Sequence, residues 1–307
     1  MNDQMMPMQR MEKAISERFG EKIIIAGLPA GANELAHIVE HRSHRKYTAH
    51  PVDGGLLRLL FACALSAPSK SDLQQADIVH VADRAKIGII ADLIPDMPWI
   101  RDAPVFLMFC GNNRRIRQIG MARGKPFAND HLDHFMNAAV DAALIMMNFI
   151  RAAEAAGLGC CPVSAVRNHP GRVSELLVLP DHVFPVAGLT VGYPAQPGQI
   201  SPRLPLDVTV HTDCYDETLL MEKIDSYDRR RHELQPYRKQ RHADLYGKAG
   251  FYGWSEDKAR QYSVPERSGS ISLTDAVGLR RGPDGAWLKT TTPDDVADVA
   301  RRWDAGG

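Results

Sequence analysis

One long, mostly apolar stretch, residues 134–156, most limits how this 307-residue chain can fold. It has the length of a bilayer span, which takes about 20 apolar residues. Asn137, Asp141, Asn148, Arg151 and Glu154 interrupt it, however, and polar groups at those depths are costly in hydrocarbon. The stretch therefore reads as a long helix packed inside a protein. Being apolar on nearly all sides, it needs an interface as well as a core to cover it.

Around it the periodicity alternates. Helical spacing runs over about 8–19, 33–42 and 53–66, each followed by Gly, Pro or a polar turn. Strand-like runs at 77–82 and 105–110 flank a helix around 84–92. Gly157-Leu158-Gly159 stops the long helix, 160–166 reads as buried, and a short helix near 171–179 leads to a strand at 183–191. Pro194, Pro197, Pro202 and Pro205 then mark an extended connector, with a charged helix expected over 216–234. From Gly247 the tail is rich in Gly, Ser and Pro until 286–290, and Pro293 starts a last helix with Thr292 as its cap. Strands interleaved with helices within about 200 residues, with helix in excess, argue for an α/β or α+β domain whose sheet is wrapped by helices.

Composition removes several function classes. With 44% hydrophobic and 24% charged residues the chain can bury a core, so it is neither disordered nor collagen-like. Its 37 Lys and Arg balance 37 Asp and Glu, which offers no basic field for nucleic acid or an anionic membrane. Cysteines at 63, 110, 160, 161 and 214 form no C-x-x-C pair, so the expectation is a reduced, cytoplasmic chain without a disulfide framework or structural zinc. Residues 1–9 are polar and Met-rich, without the apolar region of a secretory signal.

No G-x-G-x-x-G follows a strand, and neither a P-loop nor a G-x-S-x-G elbow occurs. Three segments nevertheless have the chemistry to hold a phosphate or a polar ring. His41-Arg42-Ser43-His44-Arg45 offers two guanidinium forks and a hydroxyl, although a solvated helix end uses the same residues. His37, His41 and His44 share a helical face, but no carboxylate or cysteine accompanies them at metal-ligand spacing. Pro68-Ser69-Lys70-Ser71-Asp72-Leu73-Gln74 presents hydroxyl, amide and carboxylate groups to any ring edge, or is a plain surface turn. Ser201-Pro202-Arg203-Leu204-Pro205 holds a cation between prolines, which suits an anion site or a simple linker.

Together these segments resemble the nitroreductase family of FMN-dependent oxidoreductases, and within it the NADPH-dependent nitroreductase and flavin reductase branch. His41-Arg42-Ser43-x-Arg45 and Pro68-Ser69-x-Ser71-x-x-Gln74 look like its two flavin motifs. Gly157-Leu158-Gly159 with Pro162-Val163-Ser164-Ala165 and Arg167-Asn168 looks like the loop that faces the flavin ring. Gly188-Leu189-x-Val191-Gly192-Tyr193-Pro194-Ala195, running on to Arg203, looks like the strand and phosphate turn, and Tyr215 and Trp254-Ser255 continue the likeness. It spans about 33–267.

The resemblance implies an α+β fold with a mixed sheet flanked by helices, the long helix at a homodimer interface, and an extended C-terminal arm. It divides the chain into an N-terminal arm at 1–32, an FMN-binding core at 33–210 and a C-terminal arm and tail at 211–307. His41, Arg42, Ser43, Arg45 and Arg203 would bind FMN's phosphate and the N1/C2 side of its ring. Ser69, Ser71 and Gln74, with the charged Lys70 and Asp72 beside them, would come from the partner chain. Pro162, Val163, Ser164 and Ala165 would face N5 of the ring. Arg167, Arg238 and Arg267 are the candidates for the substrate or NAD(P)H. The chain departs from the branch at Ser201, where a lysine is usual, at Ser164-Ala165 in place of two glycines, at Met97 in place of a glutamine, and at Asp72.

The implied activity is ping-pong transfer of electrons from NADPH or NADH to nitroaromatics, quinones or related small aromatics. A flavin reductase, a specialised reductase of one halogenated or heteroaromatic metabolite, and a flavin-holding protein without turnover are the alternatives.

Overall fold

The computed structural model describes residues 6–264, 279–281 and 287–289. In chain order the first elements are α1 (Pro7–Phe19), α2 (Ala32–Val39), α3 (Gly54–Leu65), β1 (Ala76–Val81), α4 (Arg84–Leu93), α5 (Trp99–Asp102), β2 (Val105–Asn112) and α6 (Arg114–Ala122). The long helix α7 (Leu132–Ala155) is followed by β3 (Gly159–Val163), α8 (Pro170–Leu177) and β4 (Val183–Gly192). Then come α9 (Leu206–Thr209), α10 (Leu220–Leu234), α11 (Ala243–Tyr246), α12 (Trp254–Tyr262), β5 (Leu279–Arg281) and β6 (Trp287–Lys289). They fall into two bodies, one within Met1–Arg42 and Gly198–Glu266, the other within Ser43–Pro197 and Arg267–Gly307.

The second body is a sheet in the order β1-β2-β4-β3, its strands paired antiparallel. The expected mixed sheet is thus antiparallel in all its strands; the parallel pairing of Ser43 with Cys160 is an isolated bridge outside them. All eight residues of β2 are buried, and alternation sends them to two cores. Val105, Leu107 and Phe109 join Leu57, Leu60, Ile145 and Phe149 of α3 and α7, whereas Phe106, Met108 and Cys110 join Ile87 and Ile90 of α4. Helix starts follow the local chemistry: the Asp53 carboxylate accepts from Leu56 N at 2.8 Å and Asp83 from Ala85 N at 2.8 Å. Gly157, in the left-handed region at φ 78°, ends α7 and lets Leu158 N reach Ala153 O at 2.9 Å.

By length and composition α7 could cross a membrane. In the protein one side lies on the sheet through Ala138, Ala142, Ile145, Phe149 and Ala153, and Asp141 is buried among hydrogen-bond donors. Its opposite side leaves Met136, Val140, Leu144 and Met147 open to solvent.

In the first body α1 and α2 share an apolar cluster around Met11 and Ala36. Elsewhere polar bonds hold it. Asp228 of α10 is buried and accepts from Ser255 N at 3.0 Å, starting α12. A Cβ on Gly253 would collide with that carboxylate. Asp257 accepts from Tyr252 Oη at 3.0 Å and from Lys258 Nζ at 2.7 Å, and Arg260 donates to Gly247 O at 2.8 Å.

The structure corrects one expected boundary and adds elements that the sequence pattern did not mark. The charged helix begins at Leu220, because Asp216 instead accepts from Thr218 N at 2.8 Å in a turn. The Gly-, Ser- and Pro-rich stretch after Gly247 contains α12, and α6 lies in a segment to which the periodicity assigns no element. Near 286–290 the observed element is β6, antiparallel to β5, and the expected helix after Pro293 lies outside the described residues.

Candidate functional site

In the second body the chain from Ser43 runs along β3. His44 N donates to Cys160 O at 2.9 Å, and a Cβ on Gly159 would stand 2.7 Å from His44 Cβ, so glycine is what allows the approach. Tyr47 fixes the following bend: its hydroxyl donates to His44 O at 2.5 Å and pairs with Thr190 Oγ1 at 2.7 Å. Burial pushes that phenol up, so it stays a neutral donor. Arg45 emerges from the bend with its guanidinium 5.3 Å from the Trp99 ring centroid. Burial raises the neighbouring Cys161 thiol and the Arg45 charge pulls it back. Pro162 and Ser164 are exposed at the end of β3, Val163 is buried and Ala165 half-buried. Arg167 turns inward instead, donating to Val186 O at 2.5 Å and tying the turn after β3 to β4.

The loop after α3 is organised by α7. Asp141, 3% exposed, accepts from Ser69 Oγ at 2.7 Å, Lys70 N at 3.2 Å and Gln75 N at 3.1 Å. Ser69 Oγ in turn accepts from Gln74 N at 2.7 Å. Thus the Ser69 hydroxyl, a ligand candidate in the sequence, shapes the loop. Ser71, Asp72 and Gln74, with right-handed Leu73 between the last two, have φ of 50°, 55° and 51°, left-handed values that non-glycine residues rarely adopt, and all three are exposed. Lys70 lies 3.7 Å from Asp133.

In the first body the backbone groups of His41, Ser201 and Arg203 meet at the end of α1. Arg18, 7% exposed, donates from Nε to Val39 O at 3.2 Å, from one terminal nitrogen to Ser201 O at 3.2 Å and from the other to His41 O at 2.6 Å. The backbone answers, with Arg203 N donating to Arg18 O at 2.7 Å. Arg230 binds Arg18 O at 3.1 Å and Arg203 O at 2.9 Å, and Tyr227 Oη donates to Pro202 O at 3.2 Å. Arg42 lines a small cleft with Arg10, Lys13, Glu17 and Glu40.

Beside this turn opens a cavity of about 700 Å³. Arg18, Arg203, Arg231 and Lys258 line it with the rings of Phe19, Tyr227, Tyr237 and Trp254, and no Asp or Glu is among its lining residues. Arg231 Nε is buried with no acceptor, its guanidinium 4.8 Å from the Tyr237 ring centroid. A cationic, ring-lined chamber with an orphaned N–H fits a phosphate-bearing aromatic group. Arg238 lies exposed in the bend after Tyr237, and Arg267 lies outside the described residues. Among the described residues no three His, Cys, Asp or Glu side chains gather as a metal site.

Sequence reasoning missed Arg18, Arg230 and Asp141. Arg18 and Arg230 look like ordinary helix arginines, and only the chain's path brings backbone carbonyls to them. Asp141 carried the one available signal, a carboxylate inside an apolar stretch.

Residues 38–193 match the Nitroreductase family and residues 201–280 its C-terminal domain. The chain is 36% identical over 197 residues to an FMN reductase [NAD(P)H] of Bacillus subtilis, covering 63% of this chain and 79% of that protein. It is 34% identical over 249 residues to an NADPH-flavin oxidoreductase of Vibrio harveyi, covering 81% of this chain and 99% of that one. The solved structure of the Vibrio harveyi NADPH:FMN oxidoreductase complexed with NAD+ superposes with a TM-score of 0.70 at 29% identity, over 80% of this chain and 98% of that one.

Proposed function

The chain belongs to the nitroreductase family, and on that footing we propose that it is an FMN-dependent oxidoreductase drawing electrons from NADPH or NADH. Its acceptors are nitroaromatics, quinones or related electrophilic aromatics, with free flavin as the alternative. The observation that carries the reading is the first body's cavity, lined by three arginines with no carboxylate among the lining residues, and by Lys258, which Asp257 pairs at 2.7 Å. The relatives' names, FMN reductase and NADPH-flavin oxidoreductase, support it. When bound, FMN would supply the two-electron step, taking a hydride from the nicotinamide and passing it to the second substrate, so that the two substrates alternate in one pocket.

The protein's share is binding and electrostatics. His41, Arg42, Ser43, Arg45 and Arg203 are the groups proposed for the phosphate and the N1/C2 side of the ring, where positive charge favours the electron-rich state. The β3 end at 162–165 presents backbone to the ring, and Ser71 and Gln74 are offered from a loop that Asp141 holds in shape. Arg238 and Arg267 remain the candidates for the NAD(P)H phosphate and the substrate.

A homodimer completes the proposal. Met136, Val140, Leu144 and Met147 form an exposed apolar stripe on α7 that a second copy would cover. All five cysteines are unpaired, which supports a reducing, cytoplasmic setting.

The test is spectroscopic. The purified protein should be yellow, NADPH or NADH should bleach it without oxygen, and a nitroaromatic or quinone should restore the colour faster than free FMN does. Faster restoration by free FMN selects the flavin reductase. A colourless protein that takes up no FMN, or a yellow one that neither nucleotide bleaches, overturns the assignment.

A further inference from the structure

The first thirty residues fall outside every motif that points to flavin, yet Arg18 of α1 is hydrogen-bonded in both directions to the turn that carries Arg203. Arg18 spreads its fork over three carbonyls, Val39 and His41 at the end of α2 and Ser201 before Arg203. Arg203 N donates back to Arg18 O at 2.7 Å, Arg230 clips both carbonyls, and the Glu21 carboxylate accepts from Leu206 N at 2.8 Å. An arginine so placed does two things at once. It removes the freedom of a proline-flanked turn that would otherwise position Arg203 loosely, and it puts a nearly buried positive charge on the wall of the cavity that Arg203 also lines.

We propose that Arg18 is a positioning residue of the cofactor site: α1 locks the Ser201–Arg203 turn and the His41 carbonyl through it, so that Arg203 meets a phosphate group in a fixed geometry. The ligand class is a phosphate monoester carried on an aromatic ring, and the inference rests on the FMN reading above. Lysine can replace the charge of Arg18 but not its three-way planar fork.

The experiment titrates FMN and riboflavin, which lacks the phosphate, into full-length protein and follows quenching of flavin fluorescence. It compares wild type, Arg18→Gln, Arg18→Lys, Arg203→Ala and the double variant Arg18→Gln/Arg203→Ala. Arg18→Gln should weaken FMN about tenfold or more while changing riboflavin less than about threefold, and Arg18→Lys should recover part of the loss. In the Arg203→Ala background Arg18→Gln should cost less than about threefold more, because the two residues act as one unit. Unchanged FMN affinity in Arg18→Gln, an equal loss for both flavins, or losses that multiply in the double variant would overturn the assignment. Should Arg18→Gln fail to fold, Arg18→Lys and Glu21→Gln, which loosen the same turn, carry the comparison. If wild type bound neither flavin, the FMN reading would fall, while inorganic phosphate still tests Arg18: phosphate should raise the melting temperature of wild type and leave that of Arg18→Gln unmoved, and equal shifts would remove Arg18 from the site.

Discussion

Asp141 shows how one residue can decide a loop. Its carboxylate gathers three donors from 69–75, and that gathering holds three non-glycine residues at positive φ. Asp141→Ala leaves the Lys70 and Gln75 amides and the Ser69 hydroxyl without an acceptor, so it should cost about 3 kcal/mol in urea denaturation, against about 1 kcal/mol for Ser69→Ala. Equal costs would mean that the loop does not depend on the carboxylate. Gly159 tests the other candidate segment. An alanine there meets His44 Cβ, which sits next to backbone and cannot swing away, so residues 43–45 must move. Gly159→Ala should cost about 1–3 kcal/mol and lower the flavin retained on gel filtration, whereas Gly171→Ala, where nothing lies within 4 Å, should do neither. At this scale the sequence showed which residue types were worth watching, but not which were already occupied. Ser69 and Arg167 read as ligands, and the fold spends the hydroxyl of one and a guanidinium donor of the other on its own backbone and carboxylate.

The elements that the sequence marked clearly are those with a repeating apolar pattern. Helix α7 and strands β2 and β4 are legible because periodicity and burial coincide in them. Helix α12 is polar, and what fixes it is a set of pairings distant in sequence: Asp228 with Ser255, and Asp257 with Arg241 at 3.2 Å. Burial works against the charge on Asp257, yet the bonds from Lys258 and Tyr252 and the nearby Arg241 outweigh it and hold its carboxyl below the ordinary 3.8. A carboxyl lowered in the folded state stabilises it above the unfolded pKa, and that contribution disappears as pH falls through the folded value. Helix α12 should therefore loosen below about pH 4, seen as earlier proteolytic cutting near Gly253, and Asp257→Asn should show the same cutting at pH 7. Helix α7 makes the complementary case. Its apolar period is regular on both sides, but only one side is used, and Val140→Asp should turn a sedimenting dimer into a monomer without lowering the melting temperature of the monomer unit. A monomeric wild type would remove the stripe's proposed role.

At the scale of the whole chain, zero net charge concealed an uneven distribution. The sequence could not show that α1 groups with residues after Gly198, because that grouping rests on Arg18, Arg203 and Arg230 reaching backbone groups some 180 to 210 positions away. Once grouped, Arg18, Arg203, Arg231 and Lys258 line one cavity; Lys258 is paired with Asp257 at 2.7 Å, but no carboxylate lines the cavity beside the three arginines, while acids such as Asp77 and Asp130 pair with Arg115 and Arg117. A neutral protein should then bind a dianionic phosphate with the salt dependence of a basic one. The screening length shrinks from about 10 Å at 0.1 M salt to about 3 Å at 1 M, so exposed cations such as Arg203 lose much of their reach while the nearly buried Arg18 is screened less. Between these salt concentrations FMN affinity should fall several-fold, riboflavin affinity should stay within about twofold, and unfolding stability should change little. If both flavins weakened together, salt would be acting on the fold, and the cation cluster would have no part in holding the phosphate.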